Sequence, residues 1–181
     1  MEWCLREKAL FLISNKLYIM KEITLYNVIE LREEKELESE DFALVHFAMD
    51  ACKKSYSPYS NFSVGAAVRL EDGTIVQGCN QENAAYGNCL CAERNAIATA
   101  QFKKPEMRII SIAVAAYTAG NFTKSPITPC GTCRQTLVEI ETRQKSPIRI
   151  VLYGNKGSYI IKQGVSALMP LSFDPDALEN I

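Results

Sequence analysis

Two continuous apolar runs, "RIISIAVAAY" (Arg108–Tyr117) and "IRIVLYG" (Ile148–Gly154), constrain this 181-residue chain more than any other feature. Neither alternates apolar with polar residues. Each reads as a strand buried on both faces, which happens where helices cover a sheet from two sides. Stretches with helical spacing surround them. "EDFALVHFAMDACKKSY" places Phe42, Val45, Met49 and Cys52 on one face behind an Asp41 cap and ends near Ser57 and Pro58. A second helix is expected from Cys91 to about Gln101, and a third from Cys130 to about Arg143, after Pro129. "NFSVGAAVRL" and "TIVQGCN" flank an Asp72-Gly73 turn and form a hairpin, with Phe62, Val64, Ala66, Val68 and Leu70 alternating along its first arm. "SYIIK" supplies a fifth strand after the "NKG" turn, and a short helix follows near Val165. The order predicts an α/β fold, a three-layer α-β-α sandwich around a mixed five-stranded sheet.

Composition narrows the partners. A net charge of -1 and a pI near 5.9 lack the clustered cations that nucleic acid or an anionic membrane needs, so a small neutral molecule is the better expectation. Seven cysteines are an odd number for a disulfide framework, and Cys89, Cys91, Cys130 and Cys133 form two tight clusters. This favours a reducing, cytoplasmic setting. The apolar run Ala9–Met20 is broken by Asn15 and Lys16 and is short for a bilayer. Residues 1–40 read as an amino-terminal extension ending in the charge-dense "LREEKELESED", a solvated helix or linker, with Met20 a candidate alternative start. Residues 41–181 read as the functional domain.

The chemistry sits at two helix starts. Cys130 and Cys133 in "PCGTCRQ" are three residues apart and share a helix face, so both thiolates can reach one cation. Cys91 opens the other helix, and three thiolates plus one water complete a tetrahedral zinc site with an open position. Unpaired N–H groups and the positive dipole end at a helix start favour thiolates there. Zinc with three thiolates carries a net charge of -1, so Arg94 and Arg134, each directly after a motif, are candidates to hydrogen-bond the sulfurs and balance it. Glu93, two residues after Cys91, can face the open position without binding the metal and shuttle protons. Two plainer readings remain: a redox C-x-x-C pair, and a closed structural site with Cys89 as fourth ligand. His46, the only histidine, lies in the first expected helix far from either motif and reads as structural.

With these residues in place, the chain resembles the small homotetrameric, zinc-dependent cytidine deaminases over nearly all of Asp41 to Ile181. "PYSNFSVGAAV", "GCNQENAAYG", "CAERNAI", "PCGTCRQ" and "LMPLSF" occur in that family's order and spacing. A cysteine ligand, a non-ligand glutamate and a later P-C-x-x-C form the arrangement of zinc deaminases in general. The resemblance implies Cys91, Cys130 and Cys133 as ligands of one Zn²⁺ per subunit and Glu93 as proton shuttle. It implies Asn80 and Glu82 on the ribose hydroxyls, Phe62 as an aromatic wall, and the Ala92 N–H on the base carbonyl. It also implies Ala84, Tyr86 and Phe173 as residues reaching a neighbouring subunit's site in a homotetramer. The implied reaction is hydrolysis of cytidine and deoxycytidine to uridine and deoxyuridine with release of ammonia, as in pyrimidine salvage, without nucleic acid or membrane. Asn95, where the family usually has threonine, and Cys89 are departures. The rivals are a deaminase for another aminopyrimidine nucleoside, an editor of cytosine in nucleic acid, and a catalytically silent zinc-stabilised interaction domain.

Overall fold

The five expected strands are present, and two more join them. The computed structural model describes residues 12–13, 16–17, 29–175 and 178. Apart from its two short strands, the apolar run 9–20 with Met20 lies outside the described residues, as does most of the tail beyond 175. The strands are β1 (Leu12–Ile13), β2 (Lys16–Leu17), β3 (Ile29–Arg32), β4 (Ser63–Leu70), β5 (Ile75–Cys79), β6 (Ile109–Thr118), β7 (Asn121–Phe122), β8 (Arg149–Leu152) and β9 (Ser158–Ile161). The helices are α1 (Ser39–Cys52), α2 (Ala92–Lys103) and α3 (Gly131–Gln144). The main sheet runs β3-β9-β8-β6-β4-β5, with β7 paired to the end of β6, while β1 pairs with β2. Among the described strands only β6 and β8 are parallel, and α3 makes the crossover between them.

Three layers follow from the apolar runs. Successive residues of a strand face opposite sides, so Ala67, Ala113, Ala115 and Val151 pack against Leu44, Val45 and Ala48 of α1. Their neighbours Ala66, Val68, Ile112, Val114 and Ile150 pack against Ala96, Ile97, Leu137 and Ile140 of α2 and α3. Two glycines bring these helices close. A Cβ on Gly65 would stand 2.0 Å from the Ala48 carbonyl oxygen of α1, and one on Gly78 would stand 2.3 Å from the Ala96 nitrogen of α2.

The structure corrects the amino-terminal reading. The sheet has seven strands rather than five because β3 pairs antiparallel with β9, from Ile29 opposite Ile161 to Arg32 opposite Ser158, and β7 adds a short edge. The expected boundary at 40/41 falls inside α1. The charge-dense stretch holds the end of β3, a 3₁₀ turn at Glu34–Glu36 and the first turn of α1. Asp41 is not the cap, since the helix starts two residues earlier with Glu38 at the N-cap position. Asp41 points inward instead, 4% exposed, and accepts from Arg149 Nε at 2.9 Å and Nη2 at 2.5 Å. That rotation turns Phe42 outward and buries Leu44, Val45, Ala48 and Cys52.

Two outcomes follow. Gly78→Ala forces α2 away from β5 and costs about 2 kcal/mol, lowering Tm by roughly 4–8 °C in a thermal melt. Arg149→Met leaves the Asp41 carboxylate buried without its partner and costs about 3 kcal/mol in urea unfolding. Adding Asp41→Leu to Arg149→Met recovers part of that loss, and no recovery would mean that packing rather than charge sets the effect.

Candidate metal centre and active site

α2 and α3 lie on the same face of the sheet, and a cysteine occupies the N-cap position of each. Cys91 (φ -71°, ψ 150°) precedes Ala92, and Cys130 (φ -66°, ψ 168°) precedes Gly131, both in extended backbone. The helix interior begins only after them, so each cysteine stands at the end where the first backbone N–H groups lack intrahelical acceptors, and neither side chain caps its helix by a hydrogen bond. Cys133 falls in the first turn of α3 and is fully buried.

The Cys91 and Cys130 sulfurs are 3.7 Å apart, those of Cys130 and Cys133 3.5 Å, and all three lie within 4.8 Å of one another. Tetrahedral zinc with sulfur ligands at about 2.3 Å requires sulfur separations of about 3.8 Å. The donor set therefore fits a zinc ion with one corner left open. Electrostatics make the same demand. The Cys91 thiol is pulled down to about 5, first by its hydrogen bond with Cys133 and then by Cys130 and Arg94. Cys133 is pushed far up, first by Cys91 and then by burial. The cluster holds one negative charge readily and resists a second, a repulsion that a divalent cation removes. Among the described residues no fourth ligand joins this set. Cys89 is engaged with Asn83 instead, accepting from its N–H at 3.3 Å.

Glu93 is 5% exposed in the first turn of α2 and interacts with Cys91 and Cys133. Burial pushes its carboxyl up, the Cys91 charge adds to this, and the Cys133 thiol opposes it. Ala92 is fully buried, and as the first residue of α2 it has an N–H without an intrahelical acceptor. Arg94 donates Nη2 to the Cys89 carbonyl at 3.1 Å. Its Nε is buried without another partner, on a guanidinium that interacts with Cys91 and Cys133. Arg134 differs from the expectation. It donates to the carbonyls of Pro129 (2.8 Å) and Leu168 (2.9 Å) and to the Thr128 hydroxyl (3.1 Å) rather than to a sulfur. Its planar fork reaches back over the helix start, clamping the loop that delivers Cys130.

The segment from β5 to α2 joins the remaining residues to this centre. Gln81 and Leu90 exchange backbone hydrogen bonds at 2.9 Å, and Tyr56 pairs with the same segment through Asn80 and Glu82. Asn80 accepts from the Ser55 hydroxyl (2.5 Å) and the Val64 N–H (2.7 Å) and donates to the Phe62 carbonyl (3.0 Å). Glu82 accepts from the N–H groups of Tyr59 (2.8 Å) and Ser60 (3.3 Å) and from the Ser60 hydroxyl (2.5 Å). Both side chains thus organise the 55–64 loop, with Phe62 half-buried at its end. The two serines went unremarked in the sequence. Pro58–Phe62 holds Ser60, but nothing local says that its partner is a residue 22 positions away.

Ala84, Tyr86 and Phe173 are exposed on the single chain, Tyr86 at 74% and Phe173 at 60%. Tyr86 meets Tyr59 edge-on with ring centroids 6.0 Å apart, and the Phe173 carbonyl accepts from Gln135 of α3 at 2.7 Å. His46 is on α1, across the sheet from the sulfurs, and meets Phe42 at a tilt with ring centroids 4.3 Å apart. Asn95 donates to the Cys79 carbonyl at 3.0 Å, tying α2 to the end of β5.

Residues 38–146 match the family described as the cytidine and deoxycytidylate deaminase zinc-binding region. The cytidine deaminase of Halalkalibacterium halodurans is 37% identical over 138 residues, covering 76% of this chain and 96% of the relative. That of Sporosarcina psychrophila is 38% identical over 135 residues, covering 75% and 92%. The crystal structure of cytidine deaminase from Burkholderia pseudomallei superposes with a TM-score of 0.61 at 40% identity, covering 72% of this chain and 97% of that one. On the match over residues 38–146 and the identity to these relatives, the chain belongs to the cytidine and deoxycytidylate deaminase zinc-binding family.

Proposed function

We propose that this protein is a hydrolase that deaminates cytidine and deoxycytidine to uridine and deoxyuridine, with Cys91, Cys130 and Cys133 as zinc ligands and Glu93 as the proton carrier. The observation that carries the reading is the closure of three sulfurs within 4.8 Å at two helix starts, with a buried carboxyl beside them. Bound zinc supplies a Lewis acid that lowers the pKa of water at the open position. Glu93 takes a proton as water adds to C4 of the pyrimidine and delivers it to N3, then carries a second proton to the departing amine. A C–O bond forms, the C–N bond breaks, and nucleoside plus water gives the uracil nucleoside plus ammonia. Burial raises the proton affinity of Glu93 toward what a base working at neutral pH needs.

The remaining residues orient the substrate. The Ala92 N–H meets the base carbonyl, Phe62 covers the ring, and Asn80 with Glu82 meets the sugar. The Arg94 guanidinium offsets the negative charge of the thiolate set. The family relationship and the exposed side chains of Tyr86, Phe173 and Leu171, the last at 90%, support a homotetramer in which Ala84, Tyr86 and Phe173 reach a neighbour's site. The domain read from the sequence as residues 41–181 carries the activity, together with the first turn of α1 from Ser39 and with β3 at the sheet edge. Six described cysteines are free, which supports a reducing cytoplasm and a role in pyrimidine salvage. Among the described residues no helix is long and apolar enough to cross a membrane.

Glu93→Gln is expected to retain one zinc per chain by metal analysis while cytidine turnover falls roughly 10²–10⁴-fold. Full turnover by that variant would remove the proton role, and loss of the metal would make Glu93 structural. Sedimentation of the native chain is expected to give four copies per particle, and a monomer with full cytidine turnover would overturn the shared site.

A further inference from the structure

Asn80 and Glu82 have little hydrogen-bonding capacity left to offer a ligand. The Asn80 Oδ1 already accepts twice and its Nδ2 donates once, so the side chain retains only one N–H. The Glu82 Oε2 accepts from two backbone N–H groups and Oε1 from the Ser60 hydroxyl, leaving Oε1 as the less occupied acceptor. Together they can serve a hydroxyl that donates to Glu82 and accepts from Asn80.

The Ser60 hydroxyl has a defined direction in this arrangement. Its oxygen accepts from the Phe62 N–H at 3.0 Å, so its proton is free to go to Glu82 Oε1. Asn61 between them has φ 53°, a left-handed conformation that asparagine tolerates and that lets the chain fold back on the Ser60 oxygen. One hydroxyl therefore links the backbone of Phe62 to the carboxylate of Glu82. We propose that Ser60 is a positioning residue for sugar recognition, holding Glu82 in the orientation that accepts from a nucleoside hydroxyl and fixing it relative to Phe62. This rests on the reading that Glu82 meets the sugar. The same hydroxyl is the largest influence holding the Glu82 carboxyl below its ordinary range, in keeping with a carboxylate kept ionised as an acceptor.

The test compares kcat/KM for cytidine with that for 2′,3′-dideoxycytidine, which lacks both ring hydroxyls, using the full chain with zinc loaded. In Ser60→Ala the ratio of the two values is expected to fall about tenfold through KM for cytidine, and Ser60→Thr, which keeps the hydroxyl, is expected to restore most of it. Tm and zinc content are measured on each variant, and Ser60 is exposed, so its truncation leaves the core untouched. Glu82→Gln is the control and should lower the same ratio at least as far. An equal loss on both substrates in Ser60→Ala, or an unchanged ratio, overturns the positioning role while the sugar role of Glu82 stands. An unchanged ratio in Glu82→Gln overturns the sugar role itself, and the role of Ser60 with it.

Discussion

Three sulfurs held within 4.8 Å repel one another as soon as more than one becomes a thiolate, and the architecture is arranged around that repulsion. The cluster stands at two helix starts, Arg94 adds a cation, and a divalent metal completes the balance. None of these is sufficient alone. Cys133, Cys130 and Arg94 together stabilise one thiolate at Cys91, but Cys133 is forced the other way by its neighbour. The grouping of the three sulfurs and the buried carboxyl near Cys133 are then consequences of where α2 and α3 begin.

Those starting points are set by the sheet. β6 and β8 are parallel neighbours joined by α3, so α3 must lie on one face, and α2 shares that face because Ala92 and Ala96 seat against β5 at Gly78. On the other face α1 presses on Gly65 and carries Asp41 to Arg149 at the start of β8. The closed contacts at both glycines leave little room for the helices to slide. A shift of either start by half a turn would carry its cysteine away from the other two, since neighbouring positions on a helix point 100° apart. Core packing and metal geometry are in this sense one constraint.

Around the centre, the loop from α1 to β4 is held by the residues assigned to the sugar. Asn80 and Glu82 spend most of their capacity on Ser55, Tyr59, Ser60, Phe62 and Val64. These bonds fix the loop in one arrangement, which under the proposed sugar-binding role lowers the ordering cost of binding. Arg134 does similar work on the metal side, through the carbonyls of Pro129 and Leu168.

Much of this was legible in the chain. Cys91-x-Glu93 and Pro129-Cys130-x-x-Cys133 are local patterns, and the distances they imply along a helix do not depend on the rest of the molecule. The continuous apolar runs likewise required a sheet covered on both faces, and β4 to β6, β8 and β9 formed where expected. What failed or was missed depends on distant partners. Asp41 looked like a cap because nothing nearby reveals Arg149, 108 residues on, and Ile29–Arg32 looked like an extension because its value as a strand comes only from pairing with β9. Arg134 turned to backbone carbonyls, and Ser60 to Glu82, for the same reason. The sequence by itself determined which side chains are chemically able to hold a metal and move a proton, because residue type and helical spacing are local properties. Only the tertiary structure decided which of their neighbours share the work, because a hydrogen bond forms wherever folding brings a donor and an acceptor together, however far apart they stand in the chain.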